Sequence, residues 1–265
     1  MKNKGYHYAV IVLLMVYLLL PLLATLLFAL AKDWQATILP SGWTLEWFAG
    51  MLQDARFMES LGRSLLVCTL SVLLSIIIMV PTIYIVTVYM PKLEKLLYAL
   101  VLLPYALPGV VMAVGLIRIY SGGPVPITGT LWILIGAYFV IILPYMYQGI
   151  RNALRTVNAR ELTNAAELLG ATRAQAFKLV VLPNILPGIM VSVLLSFSIL
   201  FGEFVLANLL VGGRYETVQI YLYKRLSESG HLSSAVAIAY FGFVLVLSGL
   251  LLRLGKWVLR TPDIR

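Results

Sequence analysis

Six stretches of the chain carry no Asp, Glu, Lys or Arg: 5–31, 64–91, 96–117, 119–150, 179–202 and 229–252. Charges return only in the polar pieces between them. A membrane helix needs about 20 mostly apolar residues, because about 30 Å of hydrocarbon is crossed at roughly 1.5 Å per residue. Each stretch holds one such span, and the pattern predicts helices over 8–31, 64–89, 96–117, 130–149, 180–201 and 234–252. Period-two alternation is absent from them, which argues against a β-barrel. The longest polar pieces are 32–63, 150–179 and 202–233, and none is large enough to bury a core of its own. The chain therefore reads as one transmembrane domain over 1–265.

Orientation follows from the basic residues, which collect on the cytoplasmic side. With the N-terminus inside, the pieces 1–7, 90–95, 150–179 and 253–265 hold 13 of the 20 Lys and Arg but 4 of the 11 acids. The other side holds 7 of each sign, so the whole formal charge of +9 lies on one face of the membrane. The expected fold class is an all-α integral membrane protein with six transmembrane helices and both termini cytoplasmic. Lys2, Lys4 and Ala29-Leu30-Ala31 imitate a signal peptide. The apolar run far exceeds the roughly 7–15 residues of such a segment, so it is expected to stay as an anchor.

Composition narrows the chemistry. The chain is 61% hydrophobic and 12% charged, against about 25% charged for soluble domains. Its basic balance is dispersed and one-sided, so no nucleic-acid partner is expected. One cysteine, Cys68, excludes an internal disulfide framework and a cysteine zinc site. His7 and His231 fall at span ends on opposite sides, leaving no metal centre and no Ser–His pair. No His-Glu-x-x-His is present. The run from Gly249 to Gly255-Lys256 has five intervening residues and no Ser or Thr after the lysine, so it is no phosphate-binding loop. An enzyme is not expected. A carrier coupled to protons or sodium would show ionisable residues inside its spans, and these spans have none. Half of a dimeric secondary transporter or channel is the alternative reading.

Prolines interrupt the apolar runs. Pro104 and Pro108, with Gly109 and Gly115, predict a broken third span that lines a pathway, since freed backbone groups in a membrane survive only against protein or a water-filled cavity. Glu203 is the acid nearest a span, a candidate gate or pathway contact for a cationic group, or else a headgroup-level acid. Trp34, Trp43, Trp47, Tyr120 and Tyr240 read as an interface belt.

The inner loop 150–179 is the most informative. Leu162, Ala165, Ala166 and Leu169 fall at i, i+3, i+4 and i+7, one apolar stripe of a short helix. Gly170 stands where a left-handed C-terminal cap wants glycine. Thr172 with Gln175 three residues on predicts a capping box that opens a second helix, which carries Phe177 and Val180 into the fifth span. Such a pair of helices suits docking to another subunit or lying on lipid headgroups.

The spacing resembles the EAA motif of permease subunits in binding-protein-dependent (type I) ABC importers: Glu-Ala-Ala, three residues, Gly, nine residues, Ile-x-Leu-Pro. Asn164, Ala165 and Ala166 fill the first positions, with Asn in place of Glu. Gly170 follows three residues later, and Val180, Val181, Leu182 and Pro183 close the pattern after nine more. The six-span layout extends the resemblance over nearly the whole chain. It implies coupling helices that dock on a separate ATP-binding subunit, with Asn164, Ala165, Ala166, Gly170, Val180, Leu182 and Pro183 in the coupling element. It further implies two ATPase copies, a second and different permease, an extracytoplasmic solute-binding protein, and a bacterial inner-membrane location. ATP and Mg would be bound by the ATPase, with no cofactor in this chain. The stretches 38–46 and 129–132 onward look like permeases for 2-aminoethylphosphonate. The segment 201–223 is similar to the spermidine/putrescine, ferric iron and phosphonate cluster. The implied solute is small and organic, with 2-aminoethylphosphonate or a polyamine favoured.

Overall fold

The computed structural model describes residues 4–35, 37–122 and 124–259. Its helices in order are α1 (Lys4–Leu30), α2 (Glu46–Gln53), α3 (Ala55–Val88), α4 (Glu94–Leu102), α5 (Gly109–Tyr120), α6 (Leu131–Thr156), α7 (Ala159–Leu168), α8 (Arg173–Gln175), α9 (Leu182–Phe201), α10 (Val205–Leu210), α11 (Val218–Leu226) and α12 (Gly230–Leu259). Among the described residues there is no β-strand, only an isolated bridge between Ala31 and Trp43.

Five helical stretches are long and apolar enough to cross a membrane: His7–Leu30, Ala55–Val88, Leu131–Thr156, Arg173–Phe201 and Gly230–Leu250. A sixth is reached if Pro91–Ala106 and Gly109–Tyr120, bent by 99°, count as one span. The helices outrun the charge-free stretches. α3 begins ahead of Arg56 and Arg63, and α6 continues through Arg151 and Arg155. The i→i−4 ladder propagates as long as the backbone allows it and does not stop where charge begins.

The predicted break at Pro104 and Pro108 is present. Pro104 sits in a 3-10 turn, Leu103–Ala106. Leu107 is extended (φ −105°, ψ 119°), as the residue before a proline is driven to be. Pro108 then caps α5.

The chain divides into two compact units, Met1–Ser60 with Tyr221–Leu245, and Leu61–Ile220 with Val246–Arg265. In the first, the His231 ring lies between two aromatic faces, Phe28 at 4.1 Å and Trp47 at 5.4 Å between centroids. The Phe28 carbonyl lies 2.8 Å from His231 Nδ1, and Trp47 Nε1 donates to the Ala31 carbonyl at 2.9 Å. Trp47 is thus half-buried and held by this stack and hydrogen bond. Trp43 is exposed. Asp54 accepts hydrogen bonds from Tyr221 Oη (2.7 Å), Arg225 Nη2 (2.8 Å) and the Arg56 N–H (2.9 Å). Burial raises its pKa, but those three bonds outweigh burial and hold the carboxyl below its ordinary range. A depressed folded pKa contributes stability that is fully present above the unfolded value and lost as pH falls through the folded one. Asp54→Asn is therefore expected to lower the melting temperature of the detergent-solubilised protein at neutral pH. The gap to the wild type should close below about pH 4. A gap independent of pH would show that the carboxylate charge is not what ties this corner.

In the second unit, the main packing is α6 against α9. Ile142, Met146, Ile150 and Leu154 of α6 and Ile185, Ile189 and Leu200 of α9 are buried. The two helices cross at small residues. A Cβ on Gly188 would lie 2.4 Å from Ala153 Cβ, and one on Gly149 would lie 1.8 Å from Ser192 Oγ. Apolar attraction between helices is weak inside lipid, so close approach of small residues supplies the packing. Cys68 is buried as a free thiol.

Candidate functional site

The predicted inner-loop elements form as expected. α7 begins after Asn158, whose backbone is left-handed (φ 49°). It ends in a Schellman turn: the Ala171 N–H donates to the Ala166 carbonyl and the Gly170 N–H to the Glu167 carbonyl, both at 3.0 Å. Gly170 has φ +88°, a conformation that strains any residue with a Cβ. Thr172 and Gln175 make the reciprocal capping box: Gln175 N–H to Thr172 Oγ1 at 3.3 Å, and Thr172 N–H to Gln175 Oε1 at 2.8 Å.

Beyond the box the helix widens into a π stretch, Ala176–Val181, that carries Val180 of the motif. Pro183 cannot donate to the carbonyl four residues back, so the ladder is already weak there. The Val180 carbonyl accepts from Asn184 Nδ2 at 2.7 Å. Leu182 and Pro183 then open α9, and the helical stretch runs on to Phe201.

Of the stripe predicted on α7 as a docking or lipid-facing surface, Ala165 and Leu169 are exposed, Leu162 is half-buried and Ala166 is buried. The buried face is Ala159, Thr163 and Ala166. Leu168 and Leu169 are 89% and 90% exposed, and Asn164 and Ala165 are also exposed. The reason is polar. Thr163 Oγ1 donates to the Ala159 carbonyl at 2.7 Å and lies 3.1 Å from Tyr84 Oη of α3. Tyr84 lies 3.4 Å from Tyr89 Oη, and Tyr89 donates to Glu167 at 2.9 Å. The Tyr84 and Phe177 rings are 4.7 Å apart, and the Arg173 guanidinium lies 4.8 Å over the Tyr89 ring. Burial, then the bonds with Tyr84 and Glu167, push the Tyr89 phenol up, which keeps it a donor. This chain of side chains fixes α7 and α8 to the end of α3 and turns the two leucines outward. Tyr84, Tyr89 and Thr163 were invisible as partners in the sequence, since nothing local connects positions some eighty residues apart.

Two of the expected pathway features come together. Val205 of α10 lies 3.7 Å from where a Cβ on Gly109, next to Pro108, would sit. α10 is held at its start by Glu203, whose carboxylate accepts the N–H of Leu206 (both oxygens at 3.0 Å) and of Ala207 (3.1 Å). Burial raises the Glu203 pKa, and those backbone bonds only partly offset it. Tyr138 Oη of α6 donates to the Glu203 carbonyl at 3.3 Å. Pro104 lies across the bend from this contact, in the turn that ends the first arm. Among the described residues no group of three or more His, Cys, Asp or Glu could hold a metal ion.

A helical membrane chain with a broken apolar helix, and with a Gly-turned loop leading into a proline-started helix, has the build of an importer permease. Residues 79–260 match the family described as binding-protein-dependent transport system inner membrane component, and the chain belongs to that family. It is a multi-pass inner-membrane protein with the fold of a type I ABC importer permease. It is 30% identical over 249 residues to the "Putative 2-aminoethylphosphonate transport system permease protein PhnV" of Salmonella choleraesuis (strain SC-B67), covering 93% of this chain and 92% of the relative. It is also 30% identical over 141 residues to the spermidine/putrescine transport system permease protein PotC of Haemophilus influenzae (strain ATCC 51907 / DSM 11121 / KW20 / Rd), covering 53% of each chain. Among solved structures, a chain of a bacterial ABC transporter involved in the import of the acidic polysaccharide alginate superposes with a TM-score of 0.75 at 18% identity, over 96% of both chains.

Proposed function

We propose that this chain is the translocation subunit of an ATP-driven importer for a small organic solute, with 2-aminoethylphosphonate favoured over a polyamine. The observation that carries the coupling half of this reading is the outward pair Leu168 and Leu169 beside the Schellman turn. Two adjacent leucines that exposed in a helix otherwise fixed to its neighbours are the mark of a surface that meets another chain. A docked ATPase would cover them together with Asn164 and Ala165. Ala166 and Gly170 set the turn, and Val180, Leu182 and Pro183 carry its displacement into α9. Asn164 can hydrogen-bond to the ATPase but cannot form an ion pair with it.

The favoured solute rests on the near full-length likeness to PhnV, against a likeness to PotC over about half the chain. In this reading the complex holds two ATPases, which bind ATP and Mg, a second and different permease, and a solute-binding protein on the outer side. The chain crosses the membrane six times with both termini cytoplasmic, counting the bent pair as one span. Pro104, Pro108 and Glu203 shape the pathway where α5 meets α10. A carrier without ATP coupling would leave the exposed turn without a role.

Replacing Leu168 and Leu169 together with Asp tests the docking face. Each buried leucine is worth about 1.5–3 kcal/mol, so the double variant should lose ATPase co-purification by about a hundredfold. Insertion and melting temperature should stay unchanged, because neither side chain is packed. Undiminished co-purification would sink the assignment. The solute is read by ATP hydrolysis of the complex with its binding protein, supplied with 2-aminoethylphosphonate or putrescine.

A further inference from the structure

Tyr98 of α4 and Tyr147, Gln148, Arg151 and Asn152 of α6 line a cleft of about 540 Å³. That volume falls within the range of small-molecule sites, about 300–1,000 Å³. The α6 residues recur at i, i+1, i+4 and i+5, so one face of one helix presents a phenol, two amides and a guanidinium. Arg155 follows one turn on. Glu94 on α4 pairs with Arg151 through Nε and with Arg155 through Nη2. Two guanidinium groups against one carboxylate leave an excess of one positive charge. Glu94 accepts from Arg151 through Nε, and Arg151 also lines the cleft, with its terminal nitrogens carrying further donors.

The second observation concerns Tyr147. Its side chain is 1% exposed, yet its hydroxyl has no hydrogen-bond partner among the described residues. A buried hydroxyl without a partner costs about 1–3 kcal/mol, and this one belongs to a residue that lines the cleft. The Tyr98 and Tyr147 rings stand 5.8 Å apart, tilted by 41°. Arg151 sits 5.8 Å from the Tyr147 ring centroid. The cleft thus offers a cationic fork and two amide side chains beside two tyrosine rings, with the unpartnered Tyr147 hydroxyl just beneath its surface as a donor that a seated solute would have to uncover.

We infer that this cleft is a solute station that takes the oxyanion head of a small solute, a phosphonate, carboxylate or sulfate group, on Arg151, Tyr147 and Asn152. The inference rests on the importer reading and deepens it by naming the chemistry of the cargo. A guanidinium presents paired N–H groups that match two oxygens of one oxyanion. The tyrosine faces can receive an amine at the other end of the same molecule. A zwitterion such as 2-aminoethylphosphonate satisfies both the guanidinium and the rings, whereas a polyamine would meet the excess positive charge of the two guanidinium groups and be repelled.

The test uses the whole complex, with its own ATPase and binding protein, reconstituted in phosphatidylcholine vesicles. Initial uptake is followed with radiolabelled 2-aminoethylphosphonate and with radiolabelled putrescine. Arg151→Gln should lower phosphonate uptake by about tenfold or more, chiefly through KM, with Arg151→Lys and Tyr147→Phe each near threefold. The ATPase should still co-purify with all three variants. Phosphonate uptake unchanged in Arg151→Gln and Tyr147→Phe would overturn the cleft and leave the importer reading standing. An equal fall for phosphonate and putrescine would show a structural role only, and overturn it likewise. A defect that appears only when phosphatidylglycerol is added would assign the anion to a lipid headgroup and remove the solute. A wild-type complex that carries putrescine and no anionic solute overturns the inference, and one that carries neither overturns it together with the solute reading it rests on.

Discussion

Gly188→Ala is expected to be the most damaging single methyl that can be added to this chain. Its Cβ would fall 2.4 Å from Ala153 Cβ and 3.5 Å from Ala153 Cα, with no flexible side-chain end to move aside. The two helices must separate, and α6 against α9 is the main packing of its unit. Overpacking of this kind costs about 1–3 kcal/mol, occasionally more, and the freed surface cannot be recovered from lipid. The expected readout is a melting temperature in detergent lowered by several degrees and a large loss of purified monodisperse protein. Gly149→Ala should be milder although its nearest atom is closer, because that atom is Ser192 Oγ, which can rotate away. The decisive control is rescue. Ala153→Gly in the Gly188→Ala background removes the clashing atom and should restore most of the lost stability. If the double variant is no better than the single one, the crossing is not held where these glycines indicate.

Gly170→Val is expected to abolish solute uptake by about tenfold or more while leaving the protein inserted and folded. Nothing lies within 4 Å of a Cβ at this position, so the substitution meets no wall. Its penalty is confined to the backbone, φ +88°, where a residue with a Cβ costs roughly 1–2 kcal/mol and a β-branched one more. The Schellman turn would open, and Leu168 and Leu169 would lose their fixed direction relative to α8. Asn tolerates the left-handed region better than most residues, so the expected order of residual uptake is Gly, Asn, Ala, Val. Uptake in vesicles, measured beside ATP hydrolysis, separates this from a folding defect. Normal uptake by Gly170→Val would remove the turn from the coupling path.

Much of the architecture could be read along the chain. Charge-free stretches mark membrane helices because a charge in hydrocarbon is penalised wherever it falls, which makes the signal independent of partners. The Gly170 cap and the Thr172–Gln175 box were equally legible, since each closes within a few residues and needs no tertiary contact. The prolines at 104 and 108 announced the break, because the missing N–H and the restriction on Leu107 are properties of the residues themselves.

Other features were decided only by packing. The i, i+3, i+4, i+7 pattern marked an apolar stripe suited to docking or to lipid, but which part of it stays outside was set by the polar bonds from Thr163 and Glu167 to Tyr84 and Tyr89, which draw Ala166 inward and leave Leu169 exposed. Helical periodicity ranks faces by hydrophobicity and has no term for a threonine that finds a buried tyrosine. The 99° angle of the broken helix, the meeting of Gly109 with Val205, and the cleft between α4 and α6 likewise depend on residues distant in sequence. Glu94, Tyr147 and Arg151 each looked ordinary in its own segment. The sequence by itself determined a helical membrane protein with a capped, glycine-turned loop, because those properties are local in the chain or set by solvent. Tertiary structure alone decided which residues face one another, because long-range contacts depend on how helices cross, and a crossing is chosen by small residues on both partners at once.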